Sequence, residues 1–134
     1  MTSPKTALNH INIPVSSVPE LTGFFQKVFG FCLVDQRGAG TFSVLTGEDG
    51  FILVLSYDKY VGPETYPKLF HIGFLQDSTA AVRQLYQRFH DAGFDAPQPA
   101  ILTRGGPPAY GFYYSAPGGL IVEASTFAIE SEAK

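Results

Sequence analysis

The sequence predicts an α+β fold of two βαβββ modules whose strands form a curved sheet enclosing a cup-shaped site. Three observations carry this. Leu8-Asn9-His10-Ile11, near the start, returns 61 residues later as Leu69-Phe70-His71-Ile72, a spacing too long for a solenoid repeat and too short for two independent domains. Each copy leads into one helix-patterned stretch ended by a Gly-Phe pair, Gly30-Phe31 and Gly93-Phe94. Each helix is followed by three short runs with strand character, separated by turns bearing glycine or proline. The expected organisation is a single domain over residues 1–134, with one module at 7–57, a second at 68–127 and a joining loop at 58–67.

Each element has its own justification. From Ala7 to Val15 the residues alternate, with Ile11, Ile13 and Val15 on one face and Leu8, His10 and Asn12 on the other, as a half-buried strand requires. Ser16-Ser17 offers an N-cap, Pro19 suits the first helical turn, and Leu21, Phe24, Phe25, Val28 and Phe29 recur at helical spacing until Gly30. Strands are expected at 31–36, 41–46 and 51–57, divided by Gly38-Ala39-Gly40 and Gly47-Glu48-Asp49-Gly50. In the second module Leu69 to Leu75 is a strand with Phe70, Ile72 and Phe74 on one face and Leu69, His71 and Gly73 on the other. Asp77 or Ser78 caps a helix with the stripe Val82, Leu85, Tyr86 and Phe89, which Gly93 stops. Strands at 99–103, 110–115 and 120–126 complete the module.

Composition narrows the function. With 134 residues and 45% hydrophobic content, the chain can bury a full core. A net charge of −3, with lysines and arginines scattered singly, gives no basic stripe for phosphate backbones, so no nucleic-acid partner is expected. No window is long and apolar enough for a membrane span, and no membrane partner is expected. The start lacks a secretory pattern, and the lone Cys32, set among Phe31, Leu33 and Val34, reads as a buried strand residue; together these suit a cytoplasmic protein.

Chemistry enters through face alternation. If the apolar faces of the two first strands pack on the helices, His10 and His71 stand on the opposite faces. In the last strand Leu120, Val122 and Ala124 form the apolar face, leaving Ile121, Glu123 and Ser125 on the other. Were the two halves to pair into one curved sheet, His10, His71 and Glu123 would converge in its cup. Two imidazoles and a carboxylate bind a divalent transition metal and leave positions open to substrate. On an open sheet the same three residues would be solvent-facing only. Tyr57, Tyr60, Tyr66, Arg104, Tyr110 and Tyr113 are candidate substrate-binding residues around the cup. Tyr113 alternates with Phe112 and Tyr114, and either set could face the cup. His90, beside Phe89 and Asp91 in the second helix, has no partner in the sequence pattern.

These motifs resemble the vicinal oxygen chelate superfamily, which includes glyoxalase I, extradiol dioxygenases, fosfomycin-resistance thiol transferases and bleomycin-binding proteins. The resemblance spans about residues 7 to 126. It rests on Leu8-Asn9-His10-Ile11, Phe29-Gly30-Phe31, Phe70-His71-Ile72 and the closing run from Gly111 to Glu123. It implies metal ligands on the first strand, on the strand opening the second half and on the last strand, which here are His10, His71 and Glu123. A fourth ligand, expected in glyoxalase I at the last strand of the first half, falls on Leu55, so a three-ligand site is implied. The resemblance implies a divalent metal (Mn, Fe, Ni or Zn), a small-molecule substrate, a homodimer that could exchange halves, and a lyase, isomerase, thiol-transferase or dioxygenase reaction. The alternative it allows is a non-catalytic drug- or metabolite-binding protein.

Overall fold

Two four-stranded sheets, each accompanied by one helix, make up residues 3–103 and 106–129, which the computed structural model describes. The first module runs β1 (His10–Val15), α1 (Val18–Phe29), β2 (Cys32–Arg37), β3 (Phe42–Thr46) and β4 (Ile52–Tyr57). The second runs β5 (His71–Leu75), α2 (Thr79–Asp91), β6 (Ala100–Leu102), β7 (Ala109–Ser115) and β8 (Ile121–Thr126). Strand order is β1-β4-β3-β2 in one sheet and β5-β8-β7-β6 in the other, so the expected βαβββ duplication is present in topology as well as in sequence. In each sheet the first strand pairs in parallel with the last and the remaining pairs are antiparallel.

Local chemistry explains the boundaries. The Ser17 hydroxyl accepts from the Glu20 N–H at 3.4 Å at the start of α1, and Gly30 ends that helix with φ 70, a left-handed conformation that costs glycine little. The Ser78 hydroxyl accepts from the Ala81 N–H at 3.1 Å and opens α2 in the same way. Pro14 fits an edge strand. The carbonyls of Asn9 and Val15 both accept from the β4 side, so residues 10, 12 and 14 turn their main-chain polar groups to the free edge, where the missing proline N–H leaves nothing unpaired.

A single aromatic core joins the modules. Leu21, Phe24, Phe25 and Val28 of α1 and Val82, Leu85 and Phe89 of α2 are buried. Phe24 meets Phe89 at 5.6 Å, Phe94 at 5.0 Å and Tyr114 of β7 at 6.0 Å between ring centroids. Phe29 lies 3.8 Å, edge to face, from Phe74 of β5. The first helix therefore packs on the second sheet as well as on its own, and the helix-bearing faces of both sheets share one interior. The two sheets do not join, and their other faces look outward. No helix among the described residues is long and apolar enough to cross a membrane.

Cys32 corrects the sequence reading: it is exposed. It begins β2, the outermost strand of its sheet, in which all six positions are exposed. An apolar run there reflects strand propensity on a sheet edge and no burial.

Phe24 touches both modules, so truncating it removes contacts from each. Phe24→Ala is expected to cost about 3–5 kcal/mol of unfolding free energy, measured by urea denaturation, whereas Phe42→Ala on the outward face of β3 costs markedly less.

Candidate functional site

The outward face of the second sheet gathers His71, Glu123 and Tyr113. The register sets Glu123, on the central strand β8, between Gly73 of β5 and Tyr113 of β7, with His71 one step away along β5. His71 Nε2 lies 3.1 Å from Glu123 Oε1. The Tyr113 ring meets the imidazole edge to face at 5.5 Å. Gly73 carries no side chain to cover the carboxylate: a Cβ there would lie 3.9 Å from Glu123 Oε1.

Hydrogen bonding fixes which atoms are available. His71 Nδ1 lies 2.9 Å from the carbonyl oxygen of Leu69, and a carbonyl only accepts, so Nδ1 carries the proton. The lone pair of a neutral His71 then sits on Nε2, facing an oxygen of Glu123. Two acceptors at that separation require a shared cation, which is either a proton on Nε2 or a metal ion. Two ligands bound at about 2.1 Å in neighbouring positions of one ion lie about 3 Å apart, which fits the observed gap. The other carboxylate oxygen, Oε2, accepts from the Ser125 hydroxyl at 2.6 Å. Donor type, exposed lone pair and the hydrogen bond on the far imidazole nitrogen all suit a divalent metal.

His10 stands elsewhere. It lies on the outward face of the first sheet, in register with Ile52, and its Nδ1 lies 2.7 Å from the Asn9 side-chain oxygen. That puts the proton on Nδ1, as in His71, while its Nε2, unlike that of His71, has no carboxylate beside it among the described residues. Because both helix-bearing faces share the core, His10 does not reach the His71–Glu123 pair, and no group of three His, Cys, Asp or Glu side chains that could hold a metal occurs among the described residues.

The remaining candidates divide. Tyr113 shares the outward face with Glu123. Tyr110 does not: it is buried on the helix-facing side, with the Arg83 guanidinium 5.6 Å from its ring centroid. Tyr57 ends β4 half-exposed and Tyr60 stands exposed with Lys59 over its ring. Tyr66 is a strut of the joining loop, its hydroxyl donating to the Pro14 carbonyl at 2.6 Å and its ring stacked on Phe70. Burial, with Asp58 nearby, pushes its phenol above the ordinary value of 10.0. Arg104 lies outside the described residues. His90 is partnered after all, its Nε2 3.0 Å from the Ala96 carbonyl oxygen.

The position equivalent to Glu123 in the first module is Val54, not Leu55. His10 pairs with Ile52 as His71 pairs with Ile121, which makes Asn12 the counterpart of Gly73 and Val54 that of Glu123. Leu55 is fully buried against the helix layer. Either residue is apolar, so the first module supplies no carboxylate there. Sequence reasoning passed over Ser125, Gly73 and Asn9 as site residues. Ser125 and Gly73 were within reach, since alternation already put them on the faces of Glu123 and His71.

A protein-family model for the glyoxalase/bleomycin resistance protein/dioxygenase superfamily matches residues 7–123. Among solved structures, a possible glyoxalase from Bacillus cereus is 34% identical, with 90% of this chain and 98% of that one covered and a TM-score of 0.72. A lactoylglutathione lyase from Agrobacterium tumefaciens is 17% identical, covering 92% and 96%, with a TM-score of 0.67. A mutant fosfomycin resistance protein FosX from Listeria monocytogenes, solved with Mn(II) and 1S,2S-dihydroxypropylphosphonic acid, is 16% identical, covering 90% of each chain, with a TM-score of 0.66. A search of curated proteins found no match.

Tyr66→Phe deletes the hydrogen bond to Pro14 and is expected to cost about 1 kcal/mol of stability. Since folding raises this phenol, the unfolded chain releases its proton first, and the Tyr66 contribution is present below pH 10.0 and is lost as pH rises through 10.0 toward the folded value. Denaturation at neutral and alkaline pH checks this: the gap between wild type and variant should narrow on the alkaline side.

Proposed function

Because the chain belongs to the glyoxalase/bleomycin resistance protein/dioxygenase superfamily, we propose that it is a metal-dependent enzyme acting on a small molecule with adjacent oxygens. Its ligand set is His71 and Glu123 of one copy with His10 of a second copy. The carrying observation is the His71 Nε2 to Glu123 Oε1 approach of 3.1 Å, with Nδ1 already committed to the Leu69 carbonyl. A bound Mn, Fe, Ni or Zn ion supplies Lewis-acid polarisation of the substrate oxygens. The reaction type is that of a lyase, isomerase, thiol transferase or dioxygenase. The manganese and dihydroxy phosphonate in the structure of the Listeria relative support the metal and an oxygen-rich substrate class.

The chain's own residues have definite parts. Tyr113, alongside both ligands, forms a wall of the substrate space, and the gap above Gly73 gives access to the open side of the pair. Asn12, two residues beyond His10 on the same face, accepts from the Ser56 hydroxyl at 2.7 Å through its side-chain oxygen, which orients its amide group toward the bound molecule. Tyr57, at the end of β4, and exposed Tyr60 are further candidates for substrate contact, as is Arg104 on its chemistry alone. The exposed thiol of Cys32 suits a reducing compartment, in keeping with a cytoplasmic enzyme.

The reading includes a homodimer, for which there are physical grounds. Strands β1 and β5 each pair on one side only among the described residues, and an unpaired edge is a template for another strand. A cleft of about 860 Å³, lined by apolar residues such as Ile11, Ile72 and Phe74 and by the charged Glu48, Asp49 and Arg88, opens beside these edges. In the assembly proposed, a second copy brings its His10-bearing face toward the His71–Glu123 face.

Metal analysis tests the centre. Wild type should take up one first-row divalent ion per chain and melt at a higher temperature with it, and His71→Ala should abolish both effects. No uptake and no metal-dependent shift overturns the enzyme reading and leaves the binding-protein alternative. Mixing tests the exchange: His10→Ala and Glu123→Ala, each inactive in metal binding alone, should recover about one site in four after random subunit exchange. Recovery of none means that ligands do not come from two chains.

A further inference from the structure

The hydroxyl of Ser125 is directed at the one carboxylate oxygen of Glu123 that does not face His71. Ser125 is 1% exposed, and it donates to Glu123 Oε2 at 2.6 Å while Oε1 faces His71 Nε2 at 3.1 Å. Its own position is held by the sheet. Gly111 of β7 is its register partner, and any Cβ on Gly111 would collide with Ser125 Cβ and the Ala124 carbonyl, so the absence of a side chain there lets the neighbouring strand close over Ser125. Residues 123 and 125 stand on one face of β8, two positions apart, which is the spacing at which adjacent side chains of one strand meet.

Resting on the metal reading above, we infer that Ser125 is a positioning residue that makes Glu123 a one-oxygen ligand through Oε1. A carboxylate free at both oxygens can chelate an ion through both and fill a position that the substrate needs. A hydrogen bond from a buried hydroxyl fixes the carboxylate plane and draws electron density from Oε2, so Oε1 is the oxygen better offered to an ion. Partners of this kind around a metal orient the ligands, and their loss typically weakens binding by about 10–100-fold. Ser125 thereby keeps a coordination position open for a substrate with two adjacent oxygens, which would occupy two neighbouring sites on the ion.

Cobalt(II) titration of the full-length protein tests this, because the d–d absorption of cobalt reports coordination number and geometry as well as affinity. Ser125→Ala should fold, melt at a somewhat lower temperature without metal because a buried hydrogen bond to a carboxylate is lost, bind cobalt about 10–100-fold more weakly, and show an altered d–d spectrum as the carboxylate loses its fixed orientation. Should that variant not fold, Ser125→Gly removes the hydroxyl without adding bulk and takes its place. A variant with wild-type affinity and a superimposable spectrum overturns the role of Ser125 and leaves the metal reading standing. Absence of cobalt uptake by wild type overturns both.

Discussion

One aromatic interior serves two modules, and the rest of the structure follows from it. Phe24 reaches α2 through Phe89 and the second sheet through Tyr114, and Phe29 seats on Phe74. Neither module alone could bury these rings, since each helix uses part of its apolar face on the other module. The helices are therefore interior, and both sheets turn their second faces outward. Those faces do not contribute to the common core, so they can carry an imidazole, a carboxylate and an uncovered glycine at little cost in stability. Chemistry is placed where packing makes no demand.

The orientation of both imidazoles comes from short-range hydrogen bonds. In both modules the histidine that begins the first strand gives its Nδ1 proton to an acceptor within two residues, which presents Nε2 to the outside. The acceptors differ in kind. Leu69 offers a main-chain carbonyl, whose position is set by the backbone leading into β5. Asn9 offers an exposed side-chain oxygen, which can turn. The His71 ring is thus the more rigidly held of the two, and it is the one that already has a carboxylate beside it. His10 sits on a looser tether at an open strand edge.

Much of this was legible in the sequence because strand alternation and duplication are local properties. The repeat of Leu-x-His-Ile, the caps Ser17 and Ser78, the helical stripes and the strand runs identified both α-helices and all eight strands, though not the short 3-10 turn at Pro117–Gly119, and alternation put His71, Glu123 and Ser125 on outward faces. What alternation lacks is any statement of how one sheet is set against another. It gives the side of a strand on which His10 lies but not where that side points, so convergence of three ligands in one chain was a natural expectation that the shared core does not fulfil. Cys32 misled for a related reason. Apolar neighbours mean burial on a central strand and mean little on an edge. Tyr110 and Tyr113 were indistinguishable until the register paired Tyr113 with Glu123, and a one-residue slip set Leu55 where Val54 belongs, because period-two patterns do not fix register from composition alone.

The two outward faces are also unequal in a way that bears on function. At matched positions the first sheet has His10, Asn12 and Val54, and the second has His71, Gly73 and Glu123. Glycine beside the carboxylate leaves its Oε1 uncovered on that side, and buried Ser125 holds its Oε2. The first face keeps its histidine but has an apolar residue in place of the acid and an oriented amide, Asn12, in place of the gap. One face holds an imidazole, a carboxylate and an uncovered glycine, and the other an imidazole and an oriented amide. Because the shared core keeps these two faces apart within one chain, the function proposed above calls on a second chain to bring them together.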